Sequence, residues 1–502
     1  MNKSRIHFMG IGGQGISAVA QMLVEANRDT VAVTGCDMQA SATTRALQEI
    51  GIPVHIGHNP DHLADIDKLV VVPAALVLNP DHPEIATARE RGIPMITWQE
   101  MLGELMHGKY VVSVSGVHGK GSTTAMLSLI LVDARLDPTC EIGAVVPRFG
   151  VNYRLGKSAY FVNEADEFYN NFWHYHPRVA VVTSIEFEHP EFFANYAEYL
   201  ASFEHFIRGM DMQGDWPVPP TLMLNADSPG CFELLTRLED WPGRVMTYAI
   251  EGLSVSSIDT KSASKEREQA DYEAYDVRLA GETSFRVRLP GTVASASDAA
   301  IHLQLPGMHN IQNALAAFAA AHVMDIDTAT IAQTLEGFGG IRRRFEVRNQ
   351  GPIRVREQLM DVILVDDYAH HPTAIAATLE AARKRYPQRR LVAVYQPHMY
   401  SRTKTFFEQF LHAFNQADLT VIAEIFPARE RDTGLVSSRE LVEAIAQQPP
   451  FQHGGRVIHG GSVQETTQIV RALLCPGDLV LIMGAGDIYT LTNTLLQDSP
   501  IG

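Results

Sequence analysis

Two glycine-rich runs carry residues whose types and spacing can handle phosphate. Ser115-Gly116-Val117-His118-Gly119-Lys120-Gly121-Ser122-Thr123-Thr124 follows the apolar, strand-like Tyr110 to Ser115 and opens the helix-like Thr123 to Ala134. In that setting, backbone N–H groups and a helix N-terminus hold phosphate oxygens, Lys120 brings a charge to the terminal phosphates, and a hydroxyl reaches magnesium. Gly116, His118, Gly119, Lys120, Gly121, Ser122 and Thr123 are therefore expected to bind ATP. The earlier run, Gly10-Ile11-Gly12-Gly13-Gln14-Gly15, lies between strand-like Ile6 to Met9 and helix-like Ile16 to Glu25. It suits a diphosphate, with Asp37 about twenty residues on as a ribose partner. A dinucleotide and a UDP-sugar fit this first loop equally well.

The elements around these loops have the pattern of layered α/β structure. Short β-branched runs (Ile6 to Met9, Thr30 to Thr34, Leu69 to Val72) alternate with amphipathic helical stretches, as in a parallel sheet with crossover helices. The second unit continues through strands Tyr160 to Asn163 and Val179 to Thr183. It ends near Gly337-Phe338-Gly339-Gly340, where glycines suggest a hinge. Within it, Ser254 to Ala274 is polar and reads as a surface excursion. A third unit alternates again: strand Val362 to Val365, helix Pro372 to Tyr386, strand Leu391 to Tyr395, helix Lys404 to Phe414, strand Leu419 to Glu424 and strand Leu479 to Met483.

A chain of 502 residues exceeds what one hydrophobic core organises, which leads to an expectation of about three domains. The net charge of −17 argues against a nucleic-acid partner, because phosphate backbones are held by clustered Lys and Arg. There is no apolar run of membrane-spanning length and no secretory leader at the N-terminus, so a cytoplasmic location without membrane insertion is expected. Cys36, Cys140, Cys231 and Cys475 lie in separate segments without metal-ligand spacing and read as reduced, packed thiols.

Taken in order, further motifs are similar to those of the Mur ligases. Asn163-Glu164-Ala165-Asp166-Glu167 resembles the family's acidic motif, and Ser184-Ile185-Glu186-Phe187-Glu188-His189-Pro190 the segment after it. His309-Asn310-Ile311-Gln312-Asn313 resembles the adenine-contacting His-Asn-x-x-Asn, and Arg344-Phe345-Glu346 the opening of the last domain. Asp366-Asp367-Tyr368-Ala369-His370-His371-Pro372-Thr373, Tyr395-Gln396-Pro397-His398, Ser401-Arg402-Thr403 and Gly484-Ala485-Gly486-Asp487-Ile488 resemble segments of the alanine-adding branch. His7-Phe8 before the first loop shifts that loop toward a UDP-sugar. The phosphate loop departs from the usual family form, with Gly121 where Thr commonly follows the lysine.

This resemblance implies an α/β fold of three domains: a Rossmann-like UDP-sugar-binding domain at 1–107, a central P-loop ATPase-like domain at 108–340 and a Rossmann-like amino-acid-binding domain at 341–502. It implies an ATP- and magnesium-dependent carboxylate–amine ligase of peptidoglycan precursor synthesis, acting on UDP-N-acetylmuramate with L-alanine as the favoured acceptor, as monomer or homodimer. The carboxylate attacks the ATP γ-phosphate, and the amine then displaces phosphate from the acyl phosphate. Lys120, Glu164, His189, Arg344 and His370 are the implied catalytic residues, with Ser122 or Thr123, Glu164 and His189 as magnesium ligands. His309, Asn310, Asn313, Arg344 and Asp367 would complete the ATP site. Gly10, Gly12, Gly13, Gln14, Gly15 and Asp37 would bind the UDP-sugar, and Tyr368, His370, His398 and Arg402 the amino acid.

Met399 stands where the alanine-adding branch usually has Arg, so the acceptor stays open between L-alanine and a murein tripeptide. From other classes, a nicotinamide-dependent dehydrogenase would use the first loop and Asp37 but leave Lys120, Glu164 and His189 without a task. A non-catalytic nucleotide-binding subunit would not need the intact lysine and acids.

Overall fold

The computed structural model describes residues 3–253, 270–293, 298, 300–355, 358–428, 430–449, 451 and 455–497. Most of the polar excursion expected after Ser254 lies outside these. Its final residues, Tyr272 and Ala274, belong to a strand and are buried.

Three sheets organise the chain. The first is parallel, in the order Val54–Ile56, Val31–Asp37, Ser4–Met9, Lys68–Val71, Met95–Thr97. The helix Gln14–Ala26 follows its central strand and buries Ile16, Val19, Met22 and Leu23. Strand order reverses beside Ser4–Met9, so the first glycine loop opens at the switch point where α/β sheets hold ligands.

The second sheet runs Ala300–Leu303, Thr283–Arg288, Tyr272–Arg278, Arg244–Ile250, Thr221–Asn225, Val179–Val182, Tyr110–Ser115, Tyr160–Glu164, Thr139–Glu141, Tyr153–Arg154. Its centre is parallel and fully buried, as the apolar Tyr110–Ser115 and Val179–Val182 demand. The antiparallel extension from Tyr272 to Leu303 was not expected from sequence. Helices Lys120–Asp133 and Met308–Val323 pack together over this sheet, and their small residues (Ala125, Ala316, Ala317, Ala320) permit close approach.

The third sheet runs Glu346–Val355, Gln358–Asp367, Asp478–Met483, Arg390–Tyr395, Leu419–Ala423, Arg456–Gly461, antiparallel only in its first pair. The expected helix Lys404 to Phe414 divides at Phe406 into Tyr400–Thr405 and Phe407–Ala413. Phe406, the residue at the break, is buried in the apolar core of this sheet.

The apolar core is shared across the first two sheets: Ile6, Phe8 and Leu102 belong to one cluster with Val111, Phe172 and Leu222. Tyr153 adds a polar tie, its hydroxyl donating to Glu25 at 3.1 Å. No helix among the described residues is long and apolar enough to cross a membrane.

Candidate active site

Lys120 is the first residue of the helix Lys120–Asp133, and the loop before it needs glycine at two places. Gly116 has φ +123°, and a Cβ there would sit 2.3 Å from the Thr183 hydroxyl; Gly119 has φ +85°, and its Cβ would meet Asn313 Oδ1 at 2.1 Å. The loop is thus pressed between the end of the Val179–Val182 strand and the start of the Met308–Val323 helix. Thr183 Oγ1 donates to the His118 carbonyl at 2.5 Å, and the His118 N–H donates to Ser184 Oγ at 3.1 Å.

Lys120 Nζ lies 2.8 Å from Glu167 Oε2 and 3.6 Å from Asp166 Oδ1, with its side chain only 12% exposed. Burial disfavours its charge, but Glu167, Asp166 and Glu164 outweigh that and hold the ammonium charged above its ordinary range. Glu167 also accepts from the Tyr199 hydroxyl at 3.1 Å.

Asp166, Glu167 and His189 form one group of donor atoms, all within 4.8 Å of one another. His189 Nδ1 donates to Glu191 at 3.0 Å, which turns Nε2 away from that bond, and the ring stacks on Phe168 at 4.3 Å. Burial pushes the His189 pKa down, yet Glu191, Glu188, Glu167 and Asp166 together raise it. His189 has φ +57°, a left-handed conformation that non-glycine residues adopt at a cost.

The carboxylates grouped with His189 are Asp166 and Glu167, whereas the sequence singled out Glu164. Glu164 instead accepts from the Gly143 N–H at 2.9 Å and faces Gly121. The reason is local: the strand ends at Glu164, and the next two acids lie in the segment between that end and the helical turn beginning at Phe168. Phe168 is the wall behind His189.

At the adenine-type motif, Asn310 Nδ2 donates to the Pro306 carbonyl at 2.7 Å, and both Asn310 and Asn313 are buried. Thr123 Oγ1 is turned into this contact, 3.4 Å from Asn313 Oδ1. Burial, followed by His118 and Arg344, holds the His309 pKa down to about 4, so it is neutral.

The third sheet brings its residues over the same region. Arg344 lies 5.0 Å from the Tyr368 ring centroid. Asp367 accepts from the N–H groups of Phe345 at 2.8 Å and Ala369 at 2.7 Å, fastening the hinge to the loop bearing Tyr368 and His370. His370 Nδ1 donates to the Tyr368 carbonyl at 3.0 Å; burial and then Arg402 keep its pKa well below the ordinary value. His371 caps the helix Pro372–Arg385, accepting from the Thr373 N–H at 3.4 Å. It also gathers with Glu186 and His118, so the phosphate loop and the third sheet meet there.

Arg402, expected to line an acceptor pocket, is buried. Its Nε and Nη2 each lie 2.8 Å from Glu188, and Nη1 lies 3.0 Å from His398 Nδ1. Met399 is also buried, with φ +70°. Gln396 reaches Asp487 and the Ile488 N–H, so the two motifs that flank this loop hold each other.

In the first sheet, Gly13 caps the helix Gln14–Ala26 without a side-chain bond, and the loop's N–H groups sit at a helix N-terminus. The Gly12 N–H donates to Asp37 Oδ2 at 2.8 Å, and a Cβ at Gly12 would strike that carboxylate. Asp37 thereby braces the loop. A cavity of about 630 Å³ at the hinge, lined by Leu303, Pro306, Gly340, Phe345, Arg385 and Tyr386 among others, includes none of the expected site residues.

Comparison with known proteins agrees with this geometry. The chain matches three family models: "Mur ligase family, catalytic domain" at 5–110, "Mur ligase middle domain" at 114–321 and "Mur ligase, glutamate ligase domain" at 343–486. It is 36% identical to a UDP-N-acetylmuramate–L-alanine ligase of Desulforapulum autotrophicum, over 98% of either chain. The chain belongs to the Mur ligase family. It is an ATP-dependent ligase, and the readings of the chain as a dehydrogenase or as a non-catalytic subunit fall away. A second relative of the same description, from Persephonella marina, is 34% identical over 98% of this chain and 96% of its own. The fold matches the crystal structure of a UDP-N-acetylmuramate-alanine ligase from Thermotoga maritima (TM-score 0.76, 24% identity, 98% of each chain). It also resembles a murein peptide ligase from Psychrobacter arcticus (TM-score 0.67, 25% identity, 99% of this chain and 98% of that one).

Proposed function

We propose that this ligase joins L-alanine to the carboxylate of UDP-N-acetylmuramate, consuming ATP and releasing ADP and phosphate through an acyl phosphate. The observation that carries this reading is Lys120 at a helix N-terminus beside the Asp166, Glu167 and His189 donors, in a chain related over its whole length to ligases of that description.

A carboxylate and a triphosphate repel each other, so the first step is an electrostatic and positional problem. Lys120 leaves its carboxylate partners for the β/γ-phosphates, while the loop N–H groups hold the remaining oxygens. Two carboxylates and an imidazole suit magnesium, and the His189 bond to Glu191 presents the second ring nitrogen. Because Thr123 bonds Asn313, Ser122 is the hydroxyl we assign to the metal near the phosphates. Magnesium, when bound, supplies charge neutralisation at the transferring phosphoryl group. His309, Asn310 and Asn313 frame the adenine, and Arg344 approaches from the third domain.

The neutral His370 can accept a hydrogen bond from the amine of the amino acid. We assign Arg402 to positioning His398 and the Tyr400–Thr405 helix against Glu188. The UDP diphosphate falls to the loop Gly10, Gly12, Gly13, Gln14 and Gly15, with Asp37 bracing it. We assign the three domains to 1–107, 108–340 and 341–502, in a cytoplasmic enzyme that works as monomer or homodimer.

The test is phosphate release with ATP, magnesium and UDP-N-acetylmuramate, comparing L-alanine, glycine, L-serine and murein tripeptide. Selective turnover with L-alanine supports the proposal. Turnover with tripeptide alone would place the chain in the recycling branch, which Met399 in place of the usual Arg favours.

A further inference from the structure

Behind the first glycine loop lies a group that the ligase reaction does not use. Cys36, at the end of the strand Val31–Asp37, is fully buried, as are His7 on the neighbouring strand and Glu84 at the start of the helix Pro83–Glu90. His62 closes the group from the short helix Pro60–Leu63, with its side chain 15% exposed. One ligand atom from each of the four lies within 4.8 Å of the others.

Two of the three contacts that link them have the length of a coordination-shell edge, and the His62–Glu84 contact is a shorter hydrogen bond. His7 Nε2 is 3.3 Å from Cys36 Sγ, Cys36 Sγ is 3.3 Å from Glu84 Oε2, and His62 Nδ1 is 2.9 Å from Glu84 Oε1. A tetrahedron with bonds of about 2.0–2.3 Å has edges of roughly 3.3–3.8 Å. The surroundings also orient the ligands. His7 Nδ1 hydrogen-bonds the Thr34 hydroxyl at 2.8 Å, which directs Nε2 inward. The Asn59 N–H donates to Glu84 at 3.0 Å, and His55 stacks on His62 at 4.4 Å. His58 Nδ1 stands 3.1 Å from Cys36 Sγ and 3.2 Å from Glu84 Oε2, a further neighbour on the partly open side.

We propose that His7, Cys36, His62 and Glu84 form a tetrahedral site for zinc or a chemically similar divalent cation, distinct from the magnesium site at Lys120. A thiolate with two imidazoles selects a borderline-soft ion over magnesium or calcium. A thiolate and a carboxylate also cancel the charge of a divalent ion, as burial requires. On binding, the Cys36 thiol releases one proton, and the proton now on His62 Nδ1 moves to its other nitrogen. The ion then replaces the bonds that tie Cys36 and His62 to Glu84. The Cys36 carbonyl accepts from the N–H groups of Gly10 and Ile11 at 2.9 and 3.0 Å. The bound ion therefore braces the glycine loop from behind and stabilises the first sheet.

The experiment uses the full chain, stripped by chelator and titrated with cobalt without nucleotide. Tetrahedral cobalt bands in the visible, a thiolate-to-cobalt charge-transfer band, one ion per chain and displacement by zinc are expected. Cys36→Ser should lose the charge-transfer band, and Cys475→Ser, at an exposed thiol elsewhere, should keep it. His62→Ala, at the open edge, should weaken cobalt binding roughly tenfold or more and guards against misfolding of the Cys36 variant. Zinc should raise the Tm of the wild type and leave that of Glu84→Gln unmoved. Absent bands, or a charge-transfer band that survives Cys36→Ser, would overturn the proposal and leave Glu84 as a hydrogen-bonding hub only.

Discussion

The Arg402 guanidinium meets Glu188 with two 2.8 Å contacts, joining the third sheet to the segment that carries His189. Both side chains are almost fully buried, so each charge depends on the other. Glu188→Gln should cost about 3 kcal/mol, because it strands a buried guanidinium. Chemical denaturation checks this, and a loss below about 1 kcal/mol would show that water replaces the carboxylate.

The same pair sets a pH dependence. Burial would raise the Glu188 pKa, but Arg402, then His189 and His370, hold it well below the usual carboxylate range. A depressed folded-state pKa contributes stability that is fully present above the unfolded value of about 4.3 and is lost as pH falls through the folded one. The Tm gap between wild type and Glu188→Gln should therefore be flat above about pH 5 and close only in stronger acid. A gap that closes near neutrality would contradict this account.

Lys120→Ala should reduce turnover by about a thousandfold or more while the chain stays folded. Single-turnover ADP formation and circular dichroism separate the two effects. Wild-type-like turnover would remove Lys120 from the phosphate site.

The acids of the Asn163-Glu164-Ala165-Asp166-Glu167 segment can be told apart by magnesium titration. Glu167→Gln should raise the magnesium concentration for half-maximal turnover about tenfold or more, whereas Glu164→Gln should leave it near the wild-type value. The reverse order would return the metal to Glu164.

Gly119→Ala combines a left-handed backbone, which costs a side chain about 1–2 kcal/mol, with a Cβ 2.1 Å from Asn313 Oδ1. KM for ATP should rise about tenfold or more, since the loop must move to relieve the clash. An unchanged KM would mean that the loop and Asn313 are not packed together in the nucleotide complex.

What the sequence determined by itself was local. The phosphate loop was legible because its glycines, lysine and hydroxyls act within one strand–turn–helix unit. Some parallel strands of each sheet were legible, the clearest where burial on both faces demands a near-continuous apolar run such as Val179–Val182, whereas others, such as Thr221–Asn225 and Arg456–Gly461, were not among those expected. The tertiary structure alone decided which of neighbouring polar residues meet. Whether Glu164 or Glu167 bonds Lys120 depends on where the strand ends and the Phe168–His174 turn begins. Arg402 gave no sign that it would meet Glu188, because the two lie 214 residues apart. Cys36 read as a packed thiol because its partners His7, His62 and Glu84 come from other segments. Chain-local rules fix the conformation of a segment, but the partner of a buried charge or thiol is set by packing between segments, which no spacing along the chain records.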